Sequence, residues 1–217
     1  MAHQDFEKYA NEKPMNGLVA DTYQEFFKKW INYKNNQLKV LDFGCGDGRY
    51  FEFFKQFFKE ENIFGVEVSE IRAKRCKEKG WNNVYPIKKL EKLPFDDEYF
   101  DFVNFDQVVE HIPYEEIDFY FREFIRVSKK DGKLLLITPN YPIKRCYDFL
   151  NALLKWDFKR IFDDPTHVTH YNFKKLYLLL EQYFREIKLE PTGGFFYKLL
   201  SVKYNFFSHK IIGIGVK

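Results

Sequence analysis

Three glycines alternate at Gly44, Gly46 and Gly48, between an apolar run at 38–43 and a segment that opens Arg49-Tyr50-Phe51. Glycine takes positive φ freely and puts no Cβ between the backbone and a ligand. At a strand-to-helix turn this spacing suits close backbone contact with a small molecule. The start of the helix that follows adds unpaired N–H groups. Asp42 stands just ahead of the loop, where a carboxylate repels a pyrophosphate and suits a ligand carrying a cationic amine. A second acid, Glu67, lies near the end of the next apolar run, 63–68. A carboxylate at that place can accept hydrogen bonds from both hydroxyls of a ribose. Three histidines, His111, His167 and His170, carry imidazoles whose pKa near neutrality suits a general base.

Two ligand classes fit such a turn. Dinucleotide folds use G-x-G-x-x-G, but here Arg49 occupies the place of the third glycine, and with Asp42 it argues against a nicotinamide-dependent oxidoreductase. The run Asp42-Phe43-Gly44-Cys45-Gly46-Asp47-Gly48 instead resembles the first motif of the class I S-adenosylmethionine (SAM) dependent methyltransferases. Three later segments resemble that family's later motifs in the right order. They are 63–68 with Glu67, the Leu93-Pro94-Phe95 turn leading to Phe100-Asp101, and Asp106-Gln107-Val108-Val109-Glu110-His111.

The resemblance implies SAM as cofactor and S-adenosyl-L-homocysteine as product. It places Asp42, Gly44, Cys45, Gly46 and Gly48 around the amino-acid end, Glu67 on the ribose and Val68 beside the adenine. The family commonly has an acid after the third strand, where this chain has Lys88-Lys89-Leu90-Glu91. The adenine is therefore expected on backbone groups near Lys89 and Leu90, or on Glu91, since a lysine cannot accept a hydrogen bond. Asp106 and Gln107, at the end of the fourth strand, are expected near the reactive methyl, with His111 beyond them. Tyr9 and Gly17 are either lid contacts over the cofactor or parts of a helix that caps the sheet.

These residues must be positioned by alternating strands and helices. Up to residue 37 the chain reads as a helical lead-in, with turns at Asp5–Ala10, a break at Pro14-Met15-Asn16-Gly17 and apolar helical spacing over Leu18–Tyr33. Strands are expected at 38–43, 63–68, Val84–Ile87, Asp101–Phe105 and Lys133–Thr138. Helices are expected from Tyr50 to about Glu60, after Ser69 with Gly80 as the stop, and over Pro113–Val127, with Glu115, Glu116, Arg122 and Arg126 on its wet side. Lys130–Lys133 reads as a tight turn. About 140–171 the pattern loosens into a substrate-side insertion, followed by a helix at Phe173–Phe184, a strand at Arg185–Glu190, a hinge-like Gly193-Gly194, an aromatic run at Phe195–Phe207 and a closing strand at Lys210–Val216. The alternation before residue 140 implies parallel pairing, and the last two strands imply an antiparallel edge. The expected architecture is one α/β domain over 1–217, a Rossmann-like doubly wound sheet of seven strands, mostly parallel, with helices on both faces.

Composition narrows the setting. A net charge of +3 with mixed signs along 217 residues argues against a dedicated nucleic-acid binder. Arg72-Ala73-Lys74-Arg75 and Lys88-Lys89 read as solvated faces. Cys45, Cys76 and Cys146 are unevenly spaced with no C-x-x-C, which points to a reducing compartment and no disulfide framework. The polar, acidic start and the lack of any apolar run near the roughly 18 residues of a membrane span lead us to expect a cytoplasmic chain with no membrane span.

For the acceptor, Asp164-Pro165-Thr166-His167 resembles segments of small-molecule methyltransferases associated with surface-carbohydrate tailoring. That implies O-methylation of a sugar, nucleotide-sugar or phosphorylated metabolite in capsule or other surface-glycan synthesis. Asn104-Phe105-Asp106-Gln107 lacks the Asn/Asp-Pro-Pro-aromatic run of nucleic-acid amino-methyltransferases. His167, His111 and His170 are the candidate bases, although His111 either acts on the acceptor or only positions the cofactor or the loop, and His170 either acts or caps the next helix. Asp163, Asp164, His167 and His170 are close enough in sequence to suggest a metal, but no second ligand cluster accompanies them and none is assigned. A non-catalytic SAM-binding module is the alternative to an enzyme.

Overall fold

Strand β1 (Val40–Phe43) is buried along its whole length and pairs in parallel with a strand on each side. Its apolar, partly β-branched sequence suits a strand covered on both faces. The computed structural model describes residues 6–14, 17, 19–30, 37–156, 164–192 and 208–217. Around β1, seven strands hydrogen-bond in the order β3-β2-β1-β4-β5-β7-β6. They are β2 (Ile63–Glu67), β3 (Val84–Pro86), β4 (Phe100–Asp106), β5 (Ser128–Pro139), β6 (Glu186–Thr192) and β7 (Lys210–Val216). Pairing is parallel between β3, β2, β1 and β4 and antiparallel between β6 and β7. This is the mixed, mostly parallel sheet expected from the alternation. Helices α1 (Phe6–Glu12), α2 (Asp21–Trp30), α3 (Phe51–Phe54), α4 (Glu70–Glu78), α5 (Ile117–Val127), α6 (Ile143–Lys155) and α7 (Phe173–Leu180), with short 3-10 turns at Glu60–Asn62, Val109–His111 and Tyr114–Glu116, complete the described elements. None of them is long and apolar enough to cross a membrane.

The chain divides into two compact units, Met1–Asn104 with Arg122–Lys133, and Phe105–Phe121 with Leu134–Lys217. The first holds an aromatic core. The fully buried Phe27 of α2 meets Phe53, Phe57 and Phe102 at ring separations of 5.2, 5.2 and 5.0 Å. Ser69 caps α4 by accepting the Arg72 N–H, as expected. Glu7 of α1 adds a second cap, accepting the N–H groups of Glu70 and Ile71 and the Ser69 hydroxyl. A carboxylate at a helix N-terminus satisfies orphan donors and complements the dipole.

Several expectations in this unit change. The helix after the glycine loop stops at Phe54, because Gln56 and Phe57 bond back three residues to Phe53 and Phe54 and tighten the chain into turns. Arg72 and Arg75 do not form a solvated face. Arg72 is buried, and both guanidiniums turn inward to the Lys13 and Ala10 carbonyls. Lys88 and Lys89 are exposed, as read from the sequence. Arg126 is not a wet-side residue either. It bonds Glu123 and Asp97 and the carbonyls of Leu93 and Phe95, fastening the turn before β4. The Lys130–Lys133 turn lies inside β5, as a kink with Asp131 at φ 63°.

In the second unit, Phe121 packs on Tyr183 and Phe184, and Gly215 gives Phe184 its room, since a Cβ there would lie 2.5 Å from the ring. The segment read as a loosened insertion contains the 13-residue helix α6. Gly193-Gly194, the 195–207 run, Leu18, Ile31, Asp163, Phe158, Arg160 and Phe162 lie outside the described residues. All three cysteines are free.

Candidate functional site

The glycine loop has the backbone its sequence requires. Gly44, Gly46 and Gly48 sit at φ 72°, 56° and 80°, a region that side-chain-bearing residues enter only at a cost. The N–H groups of Gly44 and Cys45 bond to the Val66 carbonyl, at 2.9 and 3.1 Å, which ties the turn to β2. Glu67, at the end of β2, is buried. One of its carboxylate oxygens accepts the Gly46 N–H at 2.8 Å and the other the Ser69 N–H at 3.0 Å. Burial raises its pKa above the usual carboxylate range, against those N–H bonds and the charge of Arg72. A carboxylate has about four acceptor sites, so lone pairs remain beyond these bonds. Glu67 braces the loop from beneath.

Asp42 is also buried, and its Oδ1 accepts the Asn104 side-chain amide at 2.7 Å. Asn104 in turn accepts the Tyr23 hydroxyl at 2.8 Å. Sequence reasoning missed this relay; an Asn in the middle of the apolar β4 was its signal. Asp47 was missed as well. It is buried in the loop, pairs with Arg75 at 3.2 Å, and its carbonyl accepts the Lys79 ammonium at 2.6 Å. Cys45 is buried beside Cys76, and burial followed by the hydrogen bond with Cys76 pushes its thiol pKa well up, which makes it a packing group rather than a nucleophile.

After β3, Leu90 adopts φ 57°, and the exposed Glu91 turns back to accept the Lys88 N–H at 2.6 Å. Val68 is half-buried. Tyr9 of α1 lies against the cations of Lys13 and Arg72. Gly17 packs near Arg49, whose Cδ would be 4.0 Å from a Cβ at that glycine.

Within the second unit, Gln107 takes φ 55° and donates its N–H to the Ile137 carbonyl at 2.9 Å, while Asp106 is half-buried just before it. The segment around His167 is stitched to the one around His111. The N–H groups of Val168 and Thr169 both reach the Glu110 carbonyl, at 2.9 and 3.1 Å. The Thr169 hydroxyl donates to the Ile112 carbonyl at 2.6 Å. His111 and His167 are brought to a ring separation of 4.9 Å. Nδ1 of His111 pairs with the Thr166 carbonyl at 3.0 Å, and Nδ1 of His167 with the Tyr141 hydroxyl at 2.7 Å. His170 stacks on Tyr141 at 4.1 Å. It does not cap α7, whose cap is Asn172.

Glu110 is fully buried. Its Oε2 accepts the Thr138 hydroxyl at 3.2 Å, while Oε1 has no hydrogen-bond partner. Burial pushes its pKa up to about 8, with the Asp106 charge adding to the rise. Among the described residues, the cluster able to offer ligand atoms is Glu110, His111 and His167; Asp163 lies outside them. Asp164 is bonded to Thr166 instead.

Residues 41–136 match the family model described as Methyltransferase domain. The chain is 28% identical over 103 residues to the malonyl-acyl-carrier-protein O-methyltransferase of Legionella pneumophila, covering 46% of this chain and 36% of that protein. It is 28% identical over 126 residues to the ubiquinone biosynthesis O-methyltransferase of Pelagibacter ubique, covering 55% and 50% respectively. The chain therefore spans half or less of the length of these two relatives. Among solved structures, a SAM-dependent methyltransferase from Archaeoglobus fulgidus superposes with a TM-score of 0.65 at 21% identity, over 98% of each chain. The fold is shared with that enzyme.

Proposed function

We propose that this chain is a SAM-dependent methyltransferase, acting on an oxygen of a small polar acceptor. The observation that carries this reading is the buried Glu67 carboxylate joined to the Gly46 N–H at 2.8 Å, beneath a loop of three positive-φ glycines. A loop so held can follow the contour of a nucleoside while the acid keeps acceptor sites for two hydroxyls. The match of 41–136 to the methyltransferase-domain model supports the same reading. When bound, SAM supplies a sulfonium-activated methyl group. Gly44, Cys45, Gly46 and Gly48 would hold its amino-acid end with Asp42, Glu67 its ribose, Val68 with the backbone at Lys89 and Leu90 its adenine, and Asp106 and Gln107 the methyl end.

The acceptor reading draws on the second unit. His167, with His111 and His170 as the further candidates, would take the proton of an acceptor hydroxyl, and Tyr141 would hold the His167 ring in one orientation. Both named relatives are O-methyltransferases. Within that class we favour a sugar, nucleotide-sugar or phosphorylated metabolite, as in surface-glycan synthesis. The test is methyl transfer from labelled SAM to a panel of sugars, nucleotide-sugars, phenols and acyl-carrier-protein esters. Label in a carbohydrate hydroxyl, lost about 100-fold in His167→Asn with SAM binding retained, is the expected result. Label only in a phenol or a carboxylate would overturn the acceptor class, and no transfer to any acceptor, with SAM bound, would overturn the enzyme reading.

A further inference from the structure

Glu110, His111 and His167 each place one potential ligand atom within 4.8 Å of the others. We propose that these side chains form a binding site for a divalent first-row transition-metal cation, with coordination positions left open for an oxygen ligand. Two imidazoles and one carboxylate are a donor set that suits Zn²⁺, Mn²⁺, Fe²⁺ or Co²⁺. In tetrahedral geometry an ion with bonds of about 2.1 Å holds its ligands about 3.4 Å apart. The most separated of the three atoms, within 4.8 Å of one another, therefore draw together by up to about 1.4 Å.

The surroundings are those of a built site. A metal-bound imidazole commonly donates its other ring N–H to a protein oxygen, which fixes the tautomer and aims the lone pair. Both histidines have such an oxygen at Nδ1, the Thr166 carbonyl at 3.0 Å and the Tyr141 hydroxyl at 2.7 Å. The Thr166 carbonyl can only accept, so Nδ1 of His111 donates and its Nε2 carries the lone pair; with the Tyr141 hydroxyl accepting, His167 takes the same tautomer. Independently, Glu110 is fully buried and its Oε1 has no hydrogen-bond partner. Buried carboxylate oxygens are seldom left so, and a cation supplies what is missing. The cradle is also rigid: the 166–169 backbone is fastened to Glu110 and Ile112 by the three bonds described above, which brings His167 to Glu110 and His111.

Cation binding does not rest on the methyl-transfer reading. Where both hold, the open positions would take the acceptor's oxygen and lower the pKa of its hydroxyl, as a bound cation does for water. His111 and His167 would then serve as ligands, and the acceptor proton could leave without an imidazole as its first base.

The experiment uses the full chain, stripped with a chelator and titrated with Zn²⁺, Mn²⁺ and Co²⁺ by calorimetry and, for Co²⁺, by its visible absorption. One equivalent bound, with Co²⁺ bands of nitrogen–oxygen ligation, is expected. Glu110→Gln and His111→Gln should each weaken binding at least about 100-fold, while the exposed Glu115→Gln should leave it unchanged. If Glu110→Gln fails to fold, His167→Gln on the half-buried side of the cluster decides. The site is overturned by the absence of stoichiometric binding for all three ions, or by binding that the ligand variants leave unaltered. Cation binding without methyl transfer to any acceptor would defeat the functional reading and leave this one standing.

Discussion

Glu67 braces the glycine loop and, on the proposed reading, also takes the ribose, and the consequences of losing it follow from both. Its oxygens hold the Gly46 and Ser69 N–H groups and, on the proposed reading, accept from the ribose diol. In Glu67→Ala the loop loses its brace and the ligand loses two charge-assisted bonds, each worth about 1.5–3 kcal/mol. SAM affinity measured by calorimetry should fall at least about 100-fold; an unchanged affinity would remove Glu67 from the site. The acid itself was legible, because an ionisable residue ending an apolar strand beside a glycine turn has few structural uses. Glu110 was not legible as a partner of the histidines. Its buried position between Val109 and Ile112 was a hint, but its neighbour His167 comes from a distant segment that only the fold brings back. Likewise Asn104 and Tyr23 join Asp42 through contacts that no local pattern encodes.

At the scale of elements, the loop's shape depends on what packs behind it. Trp81 stacks on Phe51 at 4.9 Å and lies over Gly65, where an added Cβ would fall 2.8 Å from its ring and 3.0 Å from the Cys45 sulfur. Gly65→Ala should therefore cost about 1–3 kcal/mol in denaturant unfolding. It should also weaken SAM binding by displacing Cys45; full stability with full affinity would mean that β2 and Trp81 yield freely.

The turn before β4 gives a pH signature. Burial alone would raise the Glu123 pKa, but the Arg126 guanidinium and the Leu93 N–H bring it below the ordinary value. A depressed carboxylate stabilises the fold above its unfolded pKa of about 4.3, and that contribution is lost as pH falls through the folded value. Wild type should thus exceed Glu123→Gln in stability at pH 7, with the gap narrowing as pH falls below about 4. A gap independent of pH would contradict the ion pair's role. Strands β1, β2 and β4 were readable in sequence because buried apolar runs with turn residues around them leave little choice. Helix α6 was not, because its 13 residues mix aromatic, basic and apolar types and end on Trp156 in a left-handed conformation rather than on the glycine that usually marks a stop.

Across the whole molecule the useful contrast is between two cofactors that similar turns can hold. Arg49 in place of a third glycine and the buried Asp42 disfavour a pyrophosphate, while an acid at the Glu67 position would suit the ribose of either cofactor. Ribose recognition alone therefore cannot discriminate, and the amino-acid end must. A ligand bound only to the folded state stabilises it by about 2.7 kcal/mol at a hundred times its Kd. For a chain of 217 residues that corresponds to a rise in Tm of about 5–10 °C. SAM and S-adenosyl-L-homocysteine should both produce it, and NAD at equal concentration should not. Asp42→Asn should reduce the SAM shift by weakening the grip on the amino group, whereas a shift with NAD and none with SAM would turn the loop back into a dinucleotide turn.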